Sequence, residues 1–257
     1  MKSIWNSFKV AFAMFSKIPV PQADWKEENM RYMFCWLPFV GTIIGAVSIG
    51  IFLLGTYFGF EENFLAVLLV LVPVFITGGI HVDGLLDTAD AMSSWQERKR
   101  RLEILKDTHT GAFAVITACV YFLAWYGAYS QMLQDRRAVF IMGWGFMVSR
   151  CFAGLEVVSL PKAKADGTVA EFSRNSSHTR VKAILAVMLA VLLGVLLFIQ
   201  PVYGMAAFLG ACLVFLYCRH MFLKYFGGMT GDLAGCSICL SEIGMAFVLA
   251  VASNFIG

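Results

Sequence analysis

The sequence predicts an all-α integral membrane protein: a polytopic helical bundle of about seven transmembrane helices with an N-terminal interfacial helix, in a single domain covering residues 1–257. Three observations carry that expectation. Hydrophobic residues make up 59% of the 257 residues. Charged residues make up 14%, far below the roughly 25% of soluble domains. Apolar runs close to the roughly 20 residues that cross a bilayer recur along the chain with short interruptions.

Residues 1–15 set Ile4, Trp5, Phe8, Phe12 and Phe15 against Lys2 and Lys9, the pattern of a helix lying in the membrane interface. Pro19 and Pro21 end it. A cleaved signal peptide is not expected, because lysines interrupt the apolar stretch and no small-residue cleavage site follows. Spans are then expected over 35–57, 64–80, 111–133, 138–160, 183–199, 203–222 and 236–256. Glu242 leaves open whether the last of these crosses fully.

Orientation follows from Lys and Arg, which concentrate in cytoplasmic segments. With the N-terminus inside, the main cytoplasmic loops are 81–110, 161–182 and 223–235. These and the N-terminal segment hold nearly all the basic residues; Arg136 and Arg137 fall outside and Arg150 lies within a span. The net charge of +3 is explained by this asymmetry. It points to a lipid bilayer as partner and gives no sign of nucleic acid binding. The Cys236 and Cys239 pair has C-x-x-C spacing, yet no second pair or His cluster completes a zinc site. The seven cysteines are expected to be small apolar packing residues.

The outer connections are too short to build a site, so chemistry is expected at the inner side. Behind one apolar run stands Gly78-Gly-Ile-His-Val-Asp-Gly-Leu-Leu-Asp-Thr-Ala-Asp90. Asp83, Asp87 and Asp90 sit at i, i+4 and i+7, so on a helix they fall within an arc of about 60°. Like charges so close need a cation. Hard oxygen ligands at this spacing suit Mg²⁺, or Mn²⁺, which binds a few carboxylates and completes its shell with water and substrate phosphate. The bland alternative is a solvated acidic face, but charge near a membrane is costly and tends to be functional. His81 could orient an aspartate, bind phosphate or act as a base, or be a satisfied interfacial histidine. Arg98, Arg101 and Lys106 could grip a diphosphate or simply hold the loop inside.

A second Gly-Gly-x-x-x-Asp run occurs at Gly227 to Asp232. Its glycines would let backbone amides approach phosphate, with Asp232 as a further metal ligand; glycines at a helix end also serve merely as caps. Arg150, Glu156 and Glu242 are costly within spans unless paired. Arg150 is expected to face the bundle, as an ion-pair partner or an anion contact.

These segments together resemble the cobalamin synthase family, the adenosylcobinamide-GDP ribazoletransferases. The likeness runs through Phe15-Ser-Lys-Ile-Pro19-Val-Pro21, Leu37 to Gly41, His81 to Asp90, Arg100 to Asp107, Arg150, Lys164-Ala-Asp166-Gly167, Gly227 to Asp232 and Glu242. Three places depart from the family pattern: Ala91 follows the third aspartate, His109 stands where Arg is common, and Ala234 precedes Gly235. The resemblance implies transfer between two large substrates. The ribose 3′-hydroxyl of α-ribazole, or of its 5′-phosphate, attacks the phosphate of adenosylcobinamide-GDP nearer the corrinoid, and GMP leaves. On this reading Asp83, Asp87, Asp90 and Asp232 hold the metal. His81 or an aspartate takes the proton, and Arg98, Arg101, Lys106, Asp107, Arg150, Lys164, Asp166, Gly228 and Thr230 bind substrate. The location implied is the cytoplasmic (inner) membrane of a bacterium or archaeon, with the site facing the cytoplasm. A homo-oligomer, or a complex with other cobalamin-assembly enzymes, is compatible with it. Two other classes remain open from sequence: a CDP-alcohol type phosphotransferase, whose D-x-x-D-G-x-x-A-R spacing is absent, and a cation-coupled transporter, which tends to place carboxylates near the midplane.

Overall fold

The computed structural model describes residues 2–163 and 176–256, and the expected helical bundle is present. The first helix, α1 (Lys2–Phe15), buries Val10, Ala11 and Phe12 against α3 (Met33–Tyr57) and leaves Ile4 and Trp5 exposed. A short α2 (Glu27–Met30) lies between them. After α3 come α4 (Glu62–Thr77), α5 (Ile80–Ser93), α6 (Arg98–Ile104), α7 (Ala112–Met132) and α8 (Arg136–Ser159). The chain closes with α9 (His178–Ile199), α10 (Pro201–Met221), a π turn over Phe222–Phe226, and α11 (Gly231–Ile256).

Among the described residues, six helices are each long and apolar enough to cross a membrane: α3, α7, α8, α9, α10 with its π turn, and α11. The span expected over 64–80 takes another form. Its helix α4 stops at Gly78 and Gly79, whose φ angles of 68° and 80° are open to glycine at little cost. The chain then bends by 94° into α5. Residues 81–93, expected at the start of a cytoplasmic loop, therefore belong to a helix of the bundle. Buried His81, Gly84, Leu85, Thr88 and Ala91 follow the helical period and pack α5 against α11 and α7.

At the centre stands α8, buried on almost every turn. It meets α3 through small residues that let backbones approach, as membrane helices commonly do: a Cβ on Gly45 would lie 2.0 Å from the Gly143 carbonyl oxygen. The last span is one continuous helix, and the charge that put it in question is matched there. Glu242 accepts a hydrogen bond from the Arg150 guanidinium, and both side chains are almost completely buried. Arg150 also donates to the Phe146 carbonyl at 2.8 Å and to Ser149 Oγ at 3.2 Å. Glu156 is fully buried too, with Ser237 and Arg219 as polar neighbours. All seven cysteines are free thiols, most of them buried.

Candidate active site

The aspartates converge because α5 and α11 cross with almost nothing between their backbones. A Cβ on Gly84 would lie 2.5 Å from the Asp232 carbonyl oxygen, and one on Gly235 would lie 2.9 Å from that of His81. Each helix follows a pair of left-handed glycines, Gly78 and Gly79 before α5, Gly227 and Gly228 before α11. Each carries an aspartate in its first turn, Asp83 and Asp232. The repeated Gly-Gly-x-x-x-Asp run is thus a repeat of structure: a helix stop, a sharp turn and a restart that presents a carboxylate. Asp87 lies within electrostatic reach of Asp83, Asp232 and Asp90. Asp83 is exposed and the other three are half-buried.

Asp90 carries out a task the spacing did not reveal. Its Oδ2 accepts from the Gly111 N–H at 2.7 Å and its Oδ1 from the Ala114 N–H at 2.9 Å. It thereby caps α7, whose own N-cap residue, Gly111, has no side chain to offer. A Cβ at Gly111 would stand 2.6 Å from the Asp90 carboxylate, so glycine there is what admits the carboxylate. Both Asp90 oxygens are engaged in this cap.

The basic residues divide in the same way. Arg98 lies over the second glycine turn, where a Cβ on Gly227 would fall 1.7 Å from its guanidinium carbon. Arg101 is buried; its guanidinium lies 4.8 Å from the Tyr225 ring centroid and contacts the Met92 sulfur at 3.5 Å, pinning α6 to its neighbours. Lys106 is exposed beyond the end of α6. Asp107 accepts from the His109 N–H at 3.0 Å and contacts its Nδ1 at 2.7 Å. Those contacts hold its carboxyl below the usual range, the backbone hydrogen bond first and the ring second. Arg150 takes the first of its two expected roles, the ion pair. Lys164 and Asp166 lie outside the described residues.

Gly228 and Thr230 shape the turn. The Gly228 N–H donates to Phe222 O at 3.2 Å, and Met229 exchanges backbone hydrogen bonds with Pro161 and Ala163. A Cβ on Gly228 would collide with the Pro161 carbonyl oxygen at 2.3 Å. Thr230 Oγ1 accepts from the Leu233 N–H at 3.3 Å and caps α11. His81 is buried beside Phe15, and its Nε2 has no hydrogen-bond partner among the described residues. The Lys17 side chain, which the sequence motifs did not single out, lies across Gly78, within 2.4 Å of where a Cβ would be. Lys17 stands just ahead of the Pro19-Val-Pro21 turn.

Among the described residues, no three His, Cys, Asp or Glu side chains form a ready-made metal centre. The donor set nevertheless fits a hard divalent ion. Three carboxylates repel one another across a helix crossing, and Mg²⁺ needs only one or two protein carboxylates when water and substrate phosphate fill its shell.

Fold and site define the class, a multi-pass membrane protein with a carboxylate cluster where two glycine-broken helices cross. Residues 7–250 match the model of the cobalamin-5-phosphate synthase family, and the chain belongs to that family. It is 40% identical over 247 residues to an adenosylcobinamide-GDP ribazoletransferase of Lachnoclostridium phytofermentans, covering 95% of this chain and 94% of that protein. Proteins of the same name from Desulfitobacterium hafniense and Geobacillus kaustophilus are each 31% identical. The first match covers 95% of this chain and 94% of the relative, the second 93% and 92%. No solved structure matches the chain.

Proposed function

We propose that this chain joins adenosylcobinamide-GDP to α-ribazole or its 5′-phosphate and releases GMP, the last assembly step of vitamin B12. Family membership over nearly the whole chain supports the reaction. The observation that carries the assignment of the site is the meeting of Asp83 and Asp87 on α5 with Asp232 on α11.

In the reaction the acceptor's hydroxyl oxygen forms a new bond to the phosphorus nearer the corrinoid. The bond from that phosphorus to the GMP oxygen breaks, and the hydroxyl proton leaves. Asp83, Asp87 and Asp232 would hold Mg²⁺ or Mn²⁺, which when bound offsets charge on the diphosphate and on departing GMP. Arg98, over the Gly227 turn, and Lys106 supply positive charge to hold the donor. His81 or one of the aspartates accepts the hydroxyl proton; the lack of a hydrogen-bond partner at His81 Nε2 among the described residues supports His81. Asp90 works through structure, fixing α5 to the start of α7, and Arg101 fixes α6. The placement of Lys and Arg supports a cytoplasmic face of the inner membrane as the location.

The test is Asp83→Asn in purified, lipid-reconstituted protein. Turnover is expected to vanish while the thermal unfolding midpoint stays at the wild-type value. Near-normal GMP release by a folded Asp83→Asn variant would remove this aspartate from catalysis.

A further inference from the structure

Asp83 stands on the wall shared by two cavities of opposite character. One, of about 230 Å³, is mostly apolar and lies among α1, α3, α5, α8 and α11, with Phe15, Phe34, Leu37, Val157 and Ile238 on its walls. His81 lines it as well, and Asp232 joins Asp83 at its polar edge. The other, of about 600 Å³, is mostly polar and opens between the end of α1 and the α4–α5 break, lined by Ser16, Lys17, Thr77, Gly78 and Gly79. Lys17 is anchored there by its main chain, whose N–H donates to Ile76 O at 2.7 Å. The glycine at 78 both adopts the positive φ and leaves room for the lysine stem.

We propose that the two substrates are sorted between these cavities. The apolar cavity receives the planar heteroaromatic base of the nucleoside acceptor. The polar groove receives the phosphates of the donor, with Lys17 as a cation facing them. This assignment rests on the transferase reading above. An aromatic ring gains free energy by leaving water for an apolar wall, and a cavity of about 150 Å³ already accepts benzene, so about 230 Å³ accommodates a fused two-ring base. A diphosphate cannot enter such a cavity without paired charge. It belongs where a lysine and open solvent meet it. The reacting oxygen and phosphorus must come within roughly 3–3.5 Å, so the reaction has to occur on the border of both cavities, where Asp83 stands. His81, on the wall of the apolar cavity, is then beside the acceptor that loses the proton.

The experiment is steady-state kinetics of the full chain in lipid, with each substrate varied in turn. Ala234 lines only the apolar cavity, and Ala234→Phe narrows it from a helical position. It is expected to raise KM for the acceptor at least about tenfold and to leave KM for the donor within about twofold. Lys17→Met is expected to do the reverse, with Lys17→Arg restoring most of the donor affinity. Ile238→Ala, which enlarges the cavity, is expected to raise the relative use of acceptors with bulkier rings and decides the matter if Ala234→Phe does not fold. An acceptor KM unchanged in folded Ala234→Phe, no change in acceptor preference with Ile238→Ala, or a rise in acceptor KM with Lys17→Met overturns the sorting. Absence of GMP release by the wild-type chain, given both substrates and Mg²⁺, overturns the transferase reading itself.

Discussion

Asp90 and Asp83 are seven residues apart on one helical stripe, yet their surroundings give them different work. Asp90 receives two N–H groups from the start of α7, where a negative charge is favoured by about 0.3–1 kcal/mol, more when partly buried. Asparagine keeps one acceptor oxygen and sets an NH2 group against the other N–H. Asp90→Asn is therefore expected to lower the unfolding midpoint slightly and keep most of the turnover, and Asp90→Ala to lose about 0.5–2 kcal/mol of stability. Loss of turnover in Asp90→Asn at near-wild-type stability would return this residue to the metal site. Arg150 offers a second contrast. Arg150→Ala strands a buried Glu242 and is expected to cost about 3–5 kcal/mol, whereas Arg150→Met with Glu242→Leu should recover much of that in thermal unfolding. Recovered stability with lost turnover would show that Arg150 contacts substrate. The carboxylate stripe was legible from 3.6-residue spacing alone. The cap was not, because it joins residues 21 and 24 positions apart, and local periodicity carries no information about such partners.

The crossing of α5 over α11 governs the site at the scale of elements. Gly84 and Gly235 let the two backbones touch, and that contact sets Asp83 and Asp87 beside Asp232. Gly84→Ala forces a Cβ to within 2.5 Å of the Asp232 carbonyl oxygen; such overpacking typically costs about 1–3 kcal/mol. Turnover is expected to fall further than stability, since the helices separate at the cluster. Gly127 and Gly194 have nothing within 4 Å of the corresponding position, and alanine there is expected to be silent in both measurements. A Gly84→Ala variant as active as Gly194→Ala would show that the close crossing is not needed. The sequence displayed this element in part. The alternation of His81, Gly84, Leu85, Thr88 and Ala91 with the aspartates marks a two-faced helix, and the Gly-Gly pairs mark its start. The repeated Gly-Gly-x-x-x-Asp run pointed to Asp232 as its partner, although six positions can match by chance, and the close crossing itself joins residues too far apart in the chain for periodicity to show.

At the scale of the whole molecule, hydropathy located the membrane-length segments among the described residues, and one of them takes a bent form. Summed apolar character over 64–80 looks like a straight span; a 94° break follows it, and the acidic helix turns into the bundle instead of trailing into a loop. The break explains how a chain of membrane helices brings carboxylates to substrates that are themselves partly apolar. It sets Asp83 between an apolar cavity and a polar groove, while the aspartates stay at the exposed end of the crossing. The most direct measurement is GMP release from adenosylcobinamide-GDP and α-ribazole by chelator-stripped, lipid-reconstituted protein as Mg²⁺ is added back. Release should be absent without the ion, rise to saturation with it, and require at least about tenfold more Mg²⁺ in Asp232→Asn. Full release from the stripped wild-type chain, or an identical Mg²⁺ requirement in Asp232→Asn, would contradict a metal held by Asp83, Asp87 and Asp232.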